Sequence, residues 1–338
     1  MRTRRAIFVL LALLVSVGLV GSSALAGGGS CRHVKGTIWV ANRGADSIRG
    51  FDAATGDVVA TIPMRSGSQP GDLAFAKGKL YVAEEFGAPP AIAIVDAETG
   101  VVLKRIFTGP RPHHVHRSNG GKLIAFGVFG TNKVGIIDVR TDTLVGEWPA
   151  SRNPAARSHA GVFSPDGRVV YVANDLVDEL AAVDPLSGEL LWTMTVPNAH
   201  ELAVTHDGKT AYVSCRGGNA LRVVDLDGRE IVATIPLGPG PDTLRLTANE
   251  KVLTVGLRGT PAQVAIVDTD TLTSHLVTIG GPGTIAGHQW TSKNGHFTFA
   301  AFEGPGAGVA VIDHRQDDTV VQTLDYPGRP HGVDVARP

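Results

Sequence analysis

The sequence predicts an all-β protein, a seven-bladed β-propeller with four antiparallel strands per blade, and three observations predict it. First, an apolar run ending in Asp recurs seven times, at Asp52, Asp96, Asp138, Asp184, Asp225, Asp268 and Asp313, with separations of 41 to 46 residues. That is the period of a four-stranded blade. Second, short runs of Val, Ile and Thr alternate with joins of Gly, Pro, Asp and Asn, and no stretch sustains a 3.6-residue period. Third, the chain starts on a strand of the second kind and ends on one of the first kind. The last strand then completes the first blade and closes the ring without an open edge, which a solenoid would leave.

Each unit runs in a fixed order. An innermost strand, such as HAGVFS (159–164), HELAVT (200–205) or HGVDVA (331–336), precedes a second strand, such as TIWVAN (37–42), KLYVAE (79–84), VVYVAN (169–174) or TAYVSC (210–215). A third strand ends at the recurring Asp and enters a polar turn, as in DAATG, DAETG, DPLSG and DLDG. The outer strand follows, as in VVATI (58–62), VLKRI (102–106), IVATI (231–235) and VVQTL (320–324). An Asp before a tight turn bonds its own backbone, so the seven carboxylates read as turn formers, one per blade, not as a ligand array. Trp39, Trp148, Trp192 and Trp290 fall at strand positions and read as packing between blades.

Written together, the units VYVAN…VVDxxTGxVVATI…PHGVAxS resemble the YVTN-type β-propeller repeat over residues 36–338. The resemblance implies seven blades and a frequently exported protein. It implies little about chemistry, because its members range from cell-envelope proteins to enzymes and cofactor-binding propellers.

The ends and the composition narrow the class. Arg2, Arg4 and Arg5 precede an apolar run from Ala6 to about Val20, and Ala24-Leu25-Ala26 fits a cleavage site. Residues 1–26 are therefore expected to be a signal peptide, followed by a flexible tail (27–35) and the propeller (36–338). The expected location is periplasmic, cell-envelope or secreted. Losing the leader removes three arginines and no acids, so the formal charge moves from −1 to −4. With no basic cluster elsewhere, nucleic acid is not an expected partner; a small molecule or an envelope protein is, and the chain reads as a monomer. The mature part has no second apolar run of spanning length. Cys31 and Cys215 are the only cysteines. A bridge between them is within reach but not invited, and acylation of Cys31 is a lesser reading.

The chemistry is carried by histidine. In a propeller the innermost strand starts, and the second strand ends, at one mouth of the axial channel. Aligning the innermost strands five residues before the Ser, Thr or Ala that closes each puts Gly71, His113, His159, His200, Asp242, Gly287 and His331 in one position. His114 and His288 lie one step further, as does Asp72. The second-strand ends add Arg43, Glu84, Glu85, Arg216, Arg258 and Glu303.

Three readings compete. A metal site would use His113, His114, His159, His200, His288, His331 and Asp242, and neutral imidazoles with few thiolates lean to copper or zinc. Nitrous oxide reductase, another propeller, holds copper on such histidines, but this chain lacks its cupredoxin domain. A copper-dependent oxidoreductase belongs to this reading. An organic or anionic ligand would use Arg43, Glu84, Arg216, Arg258 and Glu303, with lactonase- or lyase-like catalysis by a His. In the third reading the histidines only brace loops of an interaction scaffold, since the repeat itself often writes PHG at this turn. Strand alternation gives His113, His200 and His331 the parity of blade-packing residues, whereas His114, His116, His288 and Trp290 point the other way. His33, His206, His275, His296 and His314 fall in the tail or at outer strands and turns. The sequence has no G-x-S-x-G, P-loop, H-E-x-x-H or EF-hand pattern.

Overall fold

In the computed structural model, which describes residues 34–336, the strands form seven four-stranded antiparallel sheets. The proposed leader, Cys31 with its considered bridge, and His33 lie outside the described residues. Six blades are consecutive in the chain: residues 70–107, 112–149, 157–195, 199–236, 241–278 and 285–325. Blade 1 combines Thr37–Asn42, Ser47–Asp52 and Val58–Pro63 with the last strand, Pro330–Ala336, which pairs antiparallel with Thr37–Asn42. The ring therefore closes as expected. Among the described residues no helix is long and apolar enough to cross a membrane.

The apolar side chains do not form one core. They gather into seven clusters, each shared by two neighbouring blades, as with Tyr81 and Ile94 of blade 2 against Phe126 and Ile124 of blade 3. The second strands are covered on both faces, so they read as continuous apolar runs; KLYVAE is buried from Leu80 to Glu84. The outer strands have one open face and alternate, as LLWTMT at Leu190–Thr195 does. Each recurring Asp closes its turn through its own carboxylate. The backbone N–H groups of Ala54 and Thr55 donate to Oδ1 of Asp52 at 2.9 Å, and those of Asp270 and Thr271 to Oδ1 of Asp268 at 3.0 and 2.7 Å. With the apolar surface placed between blades, the axis is left to polar groups.

One device repeats in every innermost strand and positions the site. Two of its residues stand opposite a single residue of the second strand. The pairs are Gly71-Asp72, His113-His114, His159-Ala160, His200-Glu201, Asp242-Thr243, Gly287-His288 and His331-Gly332. The opposing residues are Ala83, Gly127, Ala173, Ser214, Gly256, Ala301 and Ala41, and all are small. Such a bulge bends the strand and re-aims its side chains. Here it lets both members of a pair turn to the axis. The parity expected for His113, His200 and His331 is corrected accordingly: they do not pack between blades, because the bulge interrupts the pleat just beyond them.

The opposing residue is small because the next blade's bulge lies against it. A Cβ on Gly127 would sit 2.4 Å from the carbonyl oxygens of both Ser158 and His159. Gly127→Ala must push the neighbouring strand aside and is expected to destabilise the protein by about 1–3 kcal/mol, the range of core overpacking. Urea unfolding checks this; an unchanged midpoint would show that the two strands are free to separate.

Candidate functional site

The paired residues build a channel in layers. The first residue of each pair faces one mouth, the second lies one layer deeper, and a third layer, two residues further along, holds His116, Arg245, Trp290 and Asp334. The mouth opens into a cavity of about 360 Å³ lined by Arg43, Arg111, Arg216, Arg258 and Arg329, by His113, His114, His159 and His331, and by Glu85, Asp242, Gln69, Phe86 and Phe129. The deeper end opens into a second cavity of about 270 Å³, whose polar lining includes His116, Arg117, Arg245 and Asp334. Between the two lies a plug of buried polar groups: Asp72, His200, Glu201, Thr243 and His288.

Six imidazoles touch in one cluster. Ring centroids are 4.4 Å apart from His331 to His288, 4.4 Å from His288 to His114, 4.2 Å from His114 to His159 and 3.6 Å from His159 to His200. His113 packs on His114 and His159 at 4.4 and 4.7 Å. All six are buried, as is Asp242 beside them. His114 carries the bulge with a left-handed backbone (φ 34°), a strained conformation for a residue with a Cβ.

Five of the six rings face a carboxylate from another blade. Nδ1 of His113 is 2.8 Å from Oε1 of Glu85, and Nδ1 of His114 is 2.9 Å from Oε2 of Glu201, although neither contact has the alignment of a hydrogen bond. Nδ1 of His288 is 3.0 Å from Asp72, and Nδ1 of His331 is 2.7 Å from Oε1 of Glu303. His200 faces carboxylates at both nitrogens: Nε2 is hydrogen-bonded to Asp242 at 2.7 Å, and Nδ1 lies 3.3 Å from Asp175 without the alignment of a hydrogen bond. His159 has no carboxylate, and its Nδ1 is buried without a partner. Gly71 makes room for one of these contacts, since a Cβ there would lie 1.6 Å from Oε1 of Glu85.

These contacts set the charge states. Burial holds His113, His159 and His331 below the usual imidazole range. His114 is pushed down to about 3 by burial, with His113 and His288 adding to the push and Glu201 opposing it. His200 moves the other way: burial lowers it, but Asp175 and Asp242 together raise it. Burial alone would push the Glu85 carboxyl up, yet His113 and Arg43 bring it down to about 2. Asp242 is likewise kept well below the carboxylate range, against its burial, by His200, Arg216 and Arg258. The result is four neutral imidazoles, of which His113, His114 and His331 each face a carboxylate and His159 faces none.

The guanidinium groups ring the mouth. Arg43 binds Glu85 at 2.5 Å and Arg216 binds Asp242. Nε of Arg329 is 2.8 Å from Oε2 of Glu303. Arg258 lies between two carboxylates, with Nε 3.7 Å from Asp242 and Nη1 3.8 Å from Glu303. Arg111 stacks over Phe129 at 4.8 Å and Phe86 at 5.2 Å. Five lining cations against Glu85 and Asp242, with Glu303 just behind, leave an excess of positive charge at the opening.

Of the residues expected at the mouth, Arg43, Arg216 and Arg258 line it, and Glu303 stands just behind, bound to His331 and Arg329. Glu84 is not there. Its carboxylate turns away from the cavity and is clamped by Arg65 at 2.9 Å and Arg105 at 3.0 Å, because it ends its strand on the other face from Glu85. His288 lies in the plug, not on the rim. Three groups escaped the sequence reading. Glu201 joins His114, His116 and Arg245 in the channel centre. Arg245 holds that carboxylate at 2.9 Å from the layer below. Arg111 and Phe129 form one wall of the mouth. Glu201 was detectable, as the acid directly after His200 in an otherwise apolar strand, AHELAV.

A family model described as lactonase, 7-bladed beta-propeller, matches residues 92–287, more than half of the chain. No curated protein matches. Among solved structures, the periplasmic gluconolactonase PpgL of Pseudomonas aeruginosa is 20% identical with a TM-score of 0.71, over 90% of this chain and 99% of that one. A Bacteroides uniformis chain provisionally named a 6-phosphogluconolactonase is 17% identical with a TM-score of 0.71, over 90% and 100%. Hydrazine synthase of Kuenenia stuttgartiensis is 19% identical with a TM-score of 0.68, over 91% and 94%. At these identities the structures share the fold alone, and the fold serves unrelated chemistries. The family model is the finding that assigns membership: this chain belongs to the lactonase family of seven-bladed β-propellers.

Proposed function

We propose that the protein hydrolyses a lactone bearing an anionic group, at the arginine-rimmed mouth of the channel. The observation that carries this reading is the convergence of five guanidinium groups and a neutral imidazole–carboxylate dyad, His331–Glu303, on one open cavity. Guanidinium groups recognise phosphate and carboxylate through paired hydrogen bonds, and they stabilise the oxyanion that forms when a lactone carbonyl is attacked. His331 gives Nδ1 to Glu303, which orients the ring and stabilises the imidazolium, leaving Nε2 as the base. In the step, water adds to the lactone carbonyl carbon while its proton passes to Nε2. The ring C–O bond then breaks, and the departing alkoxide takes the proton back from the imidazolium. The product is the open-chain hydroxy acid. Membership of a lactonase family and the likeness to a gluconolactonase support the same chemistry.

The test is proton release by the purified chain with gluconolactone, 6-phosphogluconolactone and uncharged lactones. Turnover is expected to favour the phosphorylated substrate, and His331→Gln is expected to lower kcat by about 10²-fold or more, the usual contribution of a positioned base. No rate above the uncatalysed reaction on any lactone, or full activity in His331→Gln, would refute the proposal.

A further inference from the structure

We infer that His113, His114 and His159 form a binding site for one divalent transition ion of the zinc or copper class at the floor of the mouth. The site is additional to the dyad proposed for lactone hydrolysis and stands without it. One ligand atom from each of the three side chains lies within 4.8 Å of the other two. A tetrahedral zinc with bonds of about 2.0–2.1 Å needs these atoms about 3.3 Å apart, so no ring has to swing inward by more than about 1 Å. All three side chains are buried, and Nδ1 of His159 has no protein partner.

The surroundings match what a histidine metal site needs. Ligating imidazoles present their second nitrogen to a carboxylate, which fixes the ring and its tautomer. Glu85 stands 2.8 Å from Nδ1 of His113 and Glu201 stands 2.9 Å from Nδ1 of His114, close enough to accept from these nitrogens once the rings turn their Nε2 atoms to an ion. Three imidazoles and no thiolate suit zinc or copper. The cavity above supplies an entry path and an open fourth position for water or an oxygen donor, the arrangement of catalytic zinc sites. Arg43 and Arg216, the cations that act on His113 and His159, are paired with Glu85 and Asp242, which limits their repulsion of an ion.

Neighbouring groups fit less well. Both nitrogens of His200 face carboxylates. Asp72, His114 and His288 also come within 4.8 Å of one another, but they lie in the plug, and Asp72 already accepts the backbone N–H of Val115 at 2.8 Å. In the set of His114, His116 and Glu201, the carboxylate is bound by Arg245 at 2.9 Å, a cation beside the position of the ion. His114 belongs to all three sets, so a single ion is expected, on the side that opens to the cavity.

The experiment uses the whole chain, stripped with a chelator and titrated with Zn²⁺, Cu²⁺ and Co²⁺. Metal content is read by elemental analysis, affinity by competition with a chromophoric chelator, and geometry by the visible band of the Co²⁺ form. About one equivalent is expected, with a tetrahedral Co²⁺ spectrum. His159→Ala and His113→Ala are expected to weaken binding by at least about 100-fold, and Glu85→Gln by about 10–100-fold, the range for outer-shell partners of metal ligands. His288→Ala and His331→Gln are expected to retain the ion. Glu85→Gln preserves shape and serves if an alanine variant does not fold. Less than a tenth of an equivalent bound with metal in excess, unchanged affinity in His159→Ala, or equal loss in His288→Ala would overturn the inference. None of these readouts involves a lactone, so they distinguish failure of the metal site from failure of the hydrolase reading.

Discussion

Arg258→Met is expected to lower kcat/KM for an anionic lactone by about 10²–10³-fold, the loss that follows removal of one preorganised oxyanion donor. Arg258 is the cation best placed for this role, because it lies between the two imidazole–carboxylate pairs, within 3.7 Å of Asp242 and 3.8 Å of Glu303. Its Nη1 also donates to the carbonyl oxygen of Ala286 at 3.1 Å, which fixes the guanidinium plane. Arg258→Lys keeps a point charge but loses the planar fork, so it should recover only part of the rate. The fold should survive either change. Asp242 retains Arg216 and His200, and Glu303 retains Arg329 and His331, so neither carboxylate is left without a positive or proton-donating partner. Steady-state kinetics beside thermal unfolding decide the matter. Loss of rate with an unchanged Tm supports the role, and an unchanged rate removes Arg258 from the mechanism.

Glu201→Ala is expected to destabilise the protein by about 3–5 kcal/mol, the range for breaking one side of a buried ion pair. Glu201 is fully buried and is the common partner of His114, His116 and Arg245, so its removal takes from Arg245 its hydrogen-bonded carboxylate and leaves only the longer-range charges of Asp72 and Asp334. Arg245 keeps about a fifth of its side chain exposed, which places the effect at the lower end of that range. Glu201→Gln keeps the shape and two polar atoms and should cost less. The opposing forces are clear in the carboxyl itself: burial favours its neutral form, but His114, His116 and Arg245 hold it well below the ordinary range. Stability from Glu201 is therefore present above the unfolded carboxylate range and is lost as pH falls through the depressed folded value. Urea unfolding of both variants tests this, and a change below about 1 kcal/mol in Glu201→Ala would show that Arg245 finds solvent or another partner.

The sequence by itself determined the ring and most of what stands around its axis. Blade number, strand order and closure followed from the Asp recurrence and from the unlike ends of the chain, because each blade is a local unit that buries its apolar faces only against its neighbours. The same repeat identified His113, His159, His200, His331 and Asp242 as one level of the channel, since equivalent positions in a closed ring must meet. Tertiary structure decided how those side chains point and which groups they meet. Alternation along HHVH or HELAV assumes a regular pleat, and the bulge in each innermost strand breaks it, bringing His113 and His114 to the axis together. Partners across the axis are also invisible along the chain. Glu201 reaches His114 from two blades away, Glu85 takes the space that Gly71 leaves, and Glu84, one residue earlier, turns outward to Arg65 and Arg105. A repeat specifies which level of the channel a residue occupies; only closure of the ring specifies its neighbours, because those contacts join residues about one to several blade lengths apart in sequence.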